Sequence, residues 1–176
     1  MVTIETISIV FTGLSISLAA FYYINTLRNA QENQRLQLET RQAQLYMQFY
    51  SKWCDKEFAR QWQEFQGYMW SDFEDYMNKY SPDKNIEASS SMLSIGRYFE
   101  GLGVLVGRKL VDVDLVDDLM SGTIIRYWEK FEPIMVEYRE QMGWPQLGEW
   151  VEFLYNQIKP LAEKQLQEIE TINDST

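Results

Sequence analysis

The sequence predicts an all-α protein, with a single N-terminal transmembrane helix continuing into a stalk and a cytosolic bundle of about five helices. Three observations predict it. Glycine (9) and proline (4) are scarce among 176 residues, while Gln, Glu, Leu and aromatic residues are plentiful, a balance that favours helix over turn-rich β structure. Apolar side chains recur at intervals of three and four along most of the chain, and the only short β-like run is 111–113. Between Glu5 and Arg28 lie 22 consecutive uncharged residues.

That uncharged run is the first element. As a helix rising about 1.5 Å per residue it spans roughly 33 Å, close to a hydrocarbon core of about 30 Å. A cleavable signal peptide fits less well, because no basic residue precedes the run and Glu5 stands at its start. Tyr22 and Tyr23 fall where an interfacial aromatic belt belongs, and Arg28, Arg35 and Arg41 follow with no Lys or Arg before them. The positive-inside rule then puts the N-terminus outside and the rest in the cytoplasm, at the cell (inner) membrane. A buried core helix is the other reading, since Ser, Thr and Asn make the run only moderately hydrophobic.

At about 100° per residue, Ser8, Thr12, Ser15 and Ala19 fall on one strip of this helix, and Thr6, Gly13, Ser17 and Ala20 on a second roughly 150° away. Ile7, Val10, Phe11, Leu14, Leu18 and Phe21 form a broad apolar sector, and Ile9, Ile16 and Tyr23 lie between the two small strips. Small residues let helix backbones approach closely in a bilayer. Two unlike strips suit a closed ring of copies, in which Ile9, Ile16 and Tyr23 would face a pore. The competing reading is a lone anchor whose hydroxyls bond their own i−4 carbonyls.

The domain expectations are an anchor over 1–28, a helical stalk over 29–54, a cytosolic helical domain over 55–170 and a disordered tail over 171–176. The stalk has no Gly or Pro, and its mixed seam through Leu27, Gln34, Leu38, Arg41 and Leu45 is not a clean coiled coil. Asp55 is placed to cap the next helix, which carries the stripe Phe58, Trp62, Phe65 and Met69. A shorter helix over 71–80 presents Phe73, Tyr76 and Tyr80, and 81–85 is the clearest loop. The helix over 86–106 buries Met92, Ile95, Phe99, Leu102 and Val106 and is stopped by Gly107. The helix over 113–141 buries Leu115, Leu119, Ile125, Trp128 and Met135, with a kink at Pro133. After the break at 143–145, the last helix (146–170) buries Trp150, Phe153, Leu154, Ile158 and Leu161 and bends at Pro160.

Composition excludes several functions. A net charge of −10 argues against nucleic acid as the default partner. The absence of histidine removes Ser-His and Cys-His pairs and the common zinc sites, so the chain reads as a non-enzyme without cofactors or catalytic residues. The single Cys54 excludes an intramolecular disulfide and reads as a small buried hydrophobe. The glycines of 100–107 lie at the end of a helical pattern, not after a strand, so they do not make a nucleotide loop. Gly96, Gly103 and Gly107 read as points of close helix packing. Asp112, Asp114, Asp117 and Asp118 lie at a helix start, where they favour the dipole more than a metal. Glu100 and Arg126 stand in apolar stretches and are paired as a candidate structural ion pair.

The stretch 98–106 (YFEGLGVLV), with Trp128-Glu129-Lys130, Pro133 and Arg139 downstream, resembles a family of uncharacterised prokaryotic proteins catalogued as a domain of unknown function. The resemblance implies one N-terminal membrane helix and a cytosolic helical domain, and no active residues. In length and layout the chain is also similar to the small membrane accessory protein of type VI-B CRISPR systems, which implies an oligomeric pore in antiviral defence. The functional expectation is therefore a membrane protein self-assembling through its transmembrane helix, in contact with lipid. The alternative is a membrane-tethered adaptor that recruits a cytosolic partner through its acidic helical domain.

Overall fold

The computed structural model describes residues 3–173, without the side chains of residues 5–7, 10 and 168–173. Among the described residues the chain is helical, with no strand: α1 (Ile4–Trp53), α2 (Lys56–Gly67), α3 (Phe73–Tyr80), α4 (Ile86–Gly107), α5 (Val113–Met142) and α6 (Glu149–Asn173). Contacts divide the chain into two compact units, one up to Ala43 and the other from Gln44 onward. The end of α1 therefore belongs to the second unit. Of the tail expected over 171–176, residues 171–173 continue α6 and 174–176 lie outside the described residues.

The first unit is the N-terminal part of α1. Its hydroxyls satisfy themselves locally: Thr12 Oγ1 donates to the Ser8 carbonyl at 2.9 Å, Ser15 Oγ to Phe11 at 2.8 Å and Ser17 Oγ to Gly13 at 2.9 Å. Among the described residues, no helix is long and apolar enough to cross a membrane. That finding overturns the expected transmembrane anchor over 1–28, and with it the single-pass topology and inner-membrane location. Between Phe11 and Arg28 the Ser, Gly, Asn, Thr and Tyr residues dilute the apolar ones. Ile7 and Val10, which would raise the hydropathy further, have side chains outside the described set.

The second unit starts its helices with local caps. Asp55 accepts from the N–H groups of Glu57 and Phe58 at the head of α2. Asp72, Asn85 and Asp112 do the same for α3, α4 and α5, through the N–H groups of Asp75, Ala88 and Asp114. Each satisfies donors that a helix start leaves without partners. The far end of α2 is closed from outside. Lys130, on α5, donates to the carbonyls of Phe65 and Gln66, both at 2.8 Å, and sits 5.0 Å and 5.2 Å from the ring centroids of Phe65 and Trp70. Burial lowers its pKa from the ordinary lysine value.

The core forms where α4, α5 and α6 meet, with Tyr46 and Phe49 of α1 packed into it. The α4 face is the expected one: Met92, Ile95, Phe99, Leu102 and Val106 are all buried. On α5 the buried row runs through Val116, Met120, Ile124, Tyr127 and Phe131, while Leu119 is exposed. Met69 is also exposed, because α2 ends at Gly67. Cys54 lies in the turn between α1 and α2 and is exposed, not buried. Pro133 and Pro160 both lie inside continuous helices.

Gly103 and Gly107 set how α6 crosses α4. A Cβ on Gly103 would run into the backbone carbonyl of Trp150, and one on Gly107 would meet the Trp150 indole. The helix ends at Gly107, where the sequence places its stop, but the left-handed residue falls two positions later on Lys109, at φ 57°. Nothing lies within 4 Å of a Cβ on Gly122, in the middle of α5. Two alanine substitutions should therefore act in opposite directions. Gly103→Ala is expected to destabilise by about 1–3 kcal/mol through overpacking against backbone. Gly122→Ala is expected to stabilise by about 0.5–1 kcal/mol through its helix propensity. Urea unfolding of both variants, monitored by circular dichroism, measures the contrast.

Candidate functional site

The second unit encloses a half-open cavity of about 700 Å³ between α4, α5 and the connection that leads into α6. This lies within the range of about 300–1,000 Å³ typical of small-molecule pockets. Its walls are aromatic and sulfur-rich: Tyr127, Phe131, Met135 and Tyr138 come from α5, Met92 from α4, and Trp144 and Trp150 from the connection and the start of α6. Burial pushes the Tyr76, Tyr127 and Tyr138 hydroxyls above the ordinary phenol range, so all three stay neutral.

The connection is held by Arg139. Its Nε donates to the Leu147 carbonyl at 2.7 Å, its Nη2 pairs with Glu152 at 2.7 Å, and its guanidinium lies 5.9 Å from the Trp128 ring centroid. Gly148 turns the backbone at φ 72°, and a Cβ there would lie 3.0 Å from Met135 Sδ. This turn brings the first residues of α6 against α4.

Glu100 lines the cavity together with Arg97 and Glu149. The backbone N–H groups of Trp150 and Val151, in the first turn of α6, act on the Glu100 carboxylate and favour the charged form. Oε1 is buried with no hydrogen-bond partner. Desolvation raises the Glu100 pKa, with the Glu149 charge adding to the effect, while the two N–H groups and Arg139 oppose it. Desolvation outweighs them.

The residues read from the sequence are distributed unevenly. Among the described residues no ion pair joins Glu100 to Arg126; Arg126 is exposed, and the cation that acts on Glu100 is Arg139. The pairing failed because the two positions were matched by apolar context, whereas the α4–α6 crossing decides what Glu100 meets. Ser8, Thr12, Gly13, Ser15, Ser17, Ala19 and Ala20 all lie exposed on α1, as do Ile9, Ile16 and Tyr23. The Thr6 side chain lies outside the described residues. Asp112 is a helix cap, and Asp117 is buried, accepting from Gln165 Nε2 at 2.7 Å. No group of three or more His, Cys, Asp or Glu among the described residues could hold a metal ion. Sequence reasoning missed the cavity roles of Trp150, Gly148 and Met135. The glycine spacing at 96, 103 and 107 was the available signal, since it marks where another helix comes close.

These features define an all-helical protein, among the described residues, with an aromatic cavity lined in part by a half-buried carboxylate. The chain belongs to the family described as domain of unknown function DUF4760, which matches residues 3–158. Comparison with curated proteins found no match, and neither did comparison with solved structures.

Because its pKa is raised on folding, Glu100 binds a proton more tightly in the folded chain than in the unfolded one. Its contribution to stability therefore declines as pH rises from the ordinary value of 4.5 through the raised one, and stays low above it. Glu100→Gln mimics the neutral form. It is expected to raise the melting temperature near neutral pH, and the gain should vanish below pH 4.5. Calorimetry at both pH values checks the sign.

Proposed function

We propose that this chain is a non-enzymatic assembly protein that associates with copies of itself through the N-terminal part of α1 and recruits a partner through its acidic helical unit. The supporting observation is the surface of α1: Ile9, Phe11, Leu14, Ile16, Leu18 and Phe21 are all exposed and follow one another along a single helix. A run of large apolar side chains of this length calls for a covering surface in water.

A second copy suits that surface for two reasons. The Thr12, Ser15 and Ser17 hydroxyls are satisfied within their own helix, so covering them strands no polar group. The two small-residue strips lie on unlike faces, which lets one helix meet two neighbours. The recruiting role rests on the net charge of −10 and on the open aromatic cavity. The defence role implied by layout depended on a membrane topology and supplies no part of this reading.

Sedimentation velocity of the full chain over a range of concentrations is expected to show a concentration-dependent oligomer. Gly13 has open space around it within its own chain, so Gly13→Leu leaves the single molecule undisturbed and obstructs the contact between copies. It should weaken association by at least about tenfold. A chain that stays monomeric throughout, or one that enters lipid vesicles in place of self-associating, overturns the proposal.

A further inference from the structure

We propose that the cavity between α4, α5 and the connection is a binding site for a small, neutral molecule with an extended aromatic body. This goes beyond the recruiting role, because the occupant is a small molecule held inside the cavity and not a protein partner. Two observations carry it: an apolar floor that reaches the core, and an apolar rim left open to water.

The floor includes Met92 of α4 and Tyr127, Phe131 and Met135 of α5, all of them buried. A space of about 700 Å³ bounded in this way offers water few partners, and apolar surface gains by replacing it. Rings meet a ligand ring offset or edge-on, and methionine adapts to an irregular outline. Around the opening stand Leu93 of α4, Met142 at the end of α5 and Trp144 of the connection. All three are exposed, and all three line the cavity. Exposed large apolar side chains are ordinary when scattered singly; three from different elements around one opening mark a place of binding.

The charges favour a neutral occupant. Arg97 and Glu149 line the cavity but are exposed, so both keep their water, and their signs are opposite. Glu100 Oε1 is buried out of contact, and the Glu100 carboxylate interacts with the N–H groups of Trp150 and Val151. An ionised ligand would give up its hydration to reach the floor, where none of the four side chains carries a charge.

Two matched pairs of probes test the claim on the full chain near neutral pH. N-phenylnaphthylamine and anilinonaphthalene sulfonate share one body and differ in the sulfonate. Fluorescence titration is expected to show the neutral probe binding at least about tenfold tighter than the anion. Neutral naphthylmethanol should displace the bound probe better than naphthylmethylammonium does. Trp144→Ala and Leu93→Ala trim the exposed rim and should each weaken the neutral probe by about threefold or more. Arg97→Ala and Glu149→Gln should leave it within about twofold. Phe11→Ser, on the exposed face of α1, should also leave it unchanged, whether or not copies associate through that helix. Circular dichroism melts confirm that the variants are folded. No binding of the neutral probe overturns the proposal, as does equal or tighter binding of either ion. Full affinity in both rim variants, or loss of binding in Phe11→Ser, overturns it as well.

Discussion

The compact unit depends on the approach of α6 to α4 at Gly103, where the absence of a side chain lets the Trp150 backbone lie directly against the helix. The other features of this region follow from that contact. With α6 so close, the N–H groups of Trp150 and Val151 act on the Glu100 carboxylate. The Trp150 indole is carried over Gly107, which extends the contact along α4. Arg139 reaches from α5 to the Leu147 carbonyl and to Glu152, tying the connection to both helices that it joins. The cavity is the space left between α4 and α5 when the incoming connection is held in this way.

Two electrostatic effects compete at Glu100. A carboxylate at a helix N-terminus is favoured by the dipole and by the free N–H groups. Removal from water opposes ionisation and is the larger effect here, since Oε1 is buried without a hydrogen-bond partner. Lys130 presents the same competition with the charges reversed. Its ammonium closes the α2 carbonyls and faces two aromatic rings, while burial lowers its proton affinity. In both cases a charged side chain of one helix interacts with the end of another. Neither arrangement is visible from spacing along the chain.

Local structure was the more legible part of the sequence. The cap at Asp55 and the buried face of α4 were read from it, because both follow from interactions within a few residues; the caps at Asp72, Asn85 and Asp112 were not singled out. Errors arose where a distant group decided the outcome. Met69 was placed on the α2 stripe, yet that helix ends at Gly67, with Lys130 on its last carbonyls. Of the face expected to be buried on α5, Trp128 and Met135 are buried and Leu115 is half-buried against the core, but Leu119 is exposed and Val116 and Met120 face inward in its place. Cys54 was taken as core because of its aromatic neighbours, and the turn after α1 leaves it exposed. The anchor over 1–28 rested on the absence of charge, and its many small polar residues keep the described helix below what a membrane span requires.

The sequence by itself determined that the chain is helical, where most of its helices begin, and which glycines mark close approach. These are consequences of propensity, capping and periodicity, all of which act over one or two turns. Only the tertiary structure decided that Trp150 is the group that Gly103 and Gly107 admit, that Glu100 meets the start of α6 instead of Arg126, and that a cavity lies beside it. The physical reason is distance along the chain. Glu100 and Trp150 are brought together by the packing of two helices separated by a third, and the identity of such a neighbour depends on how every intervening face is buried.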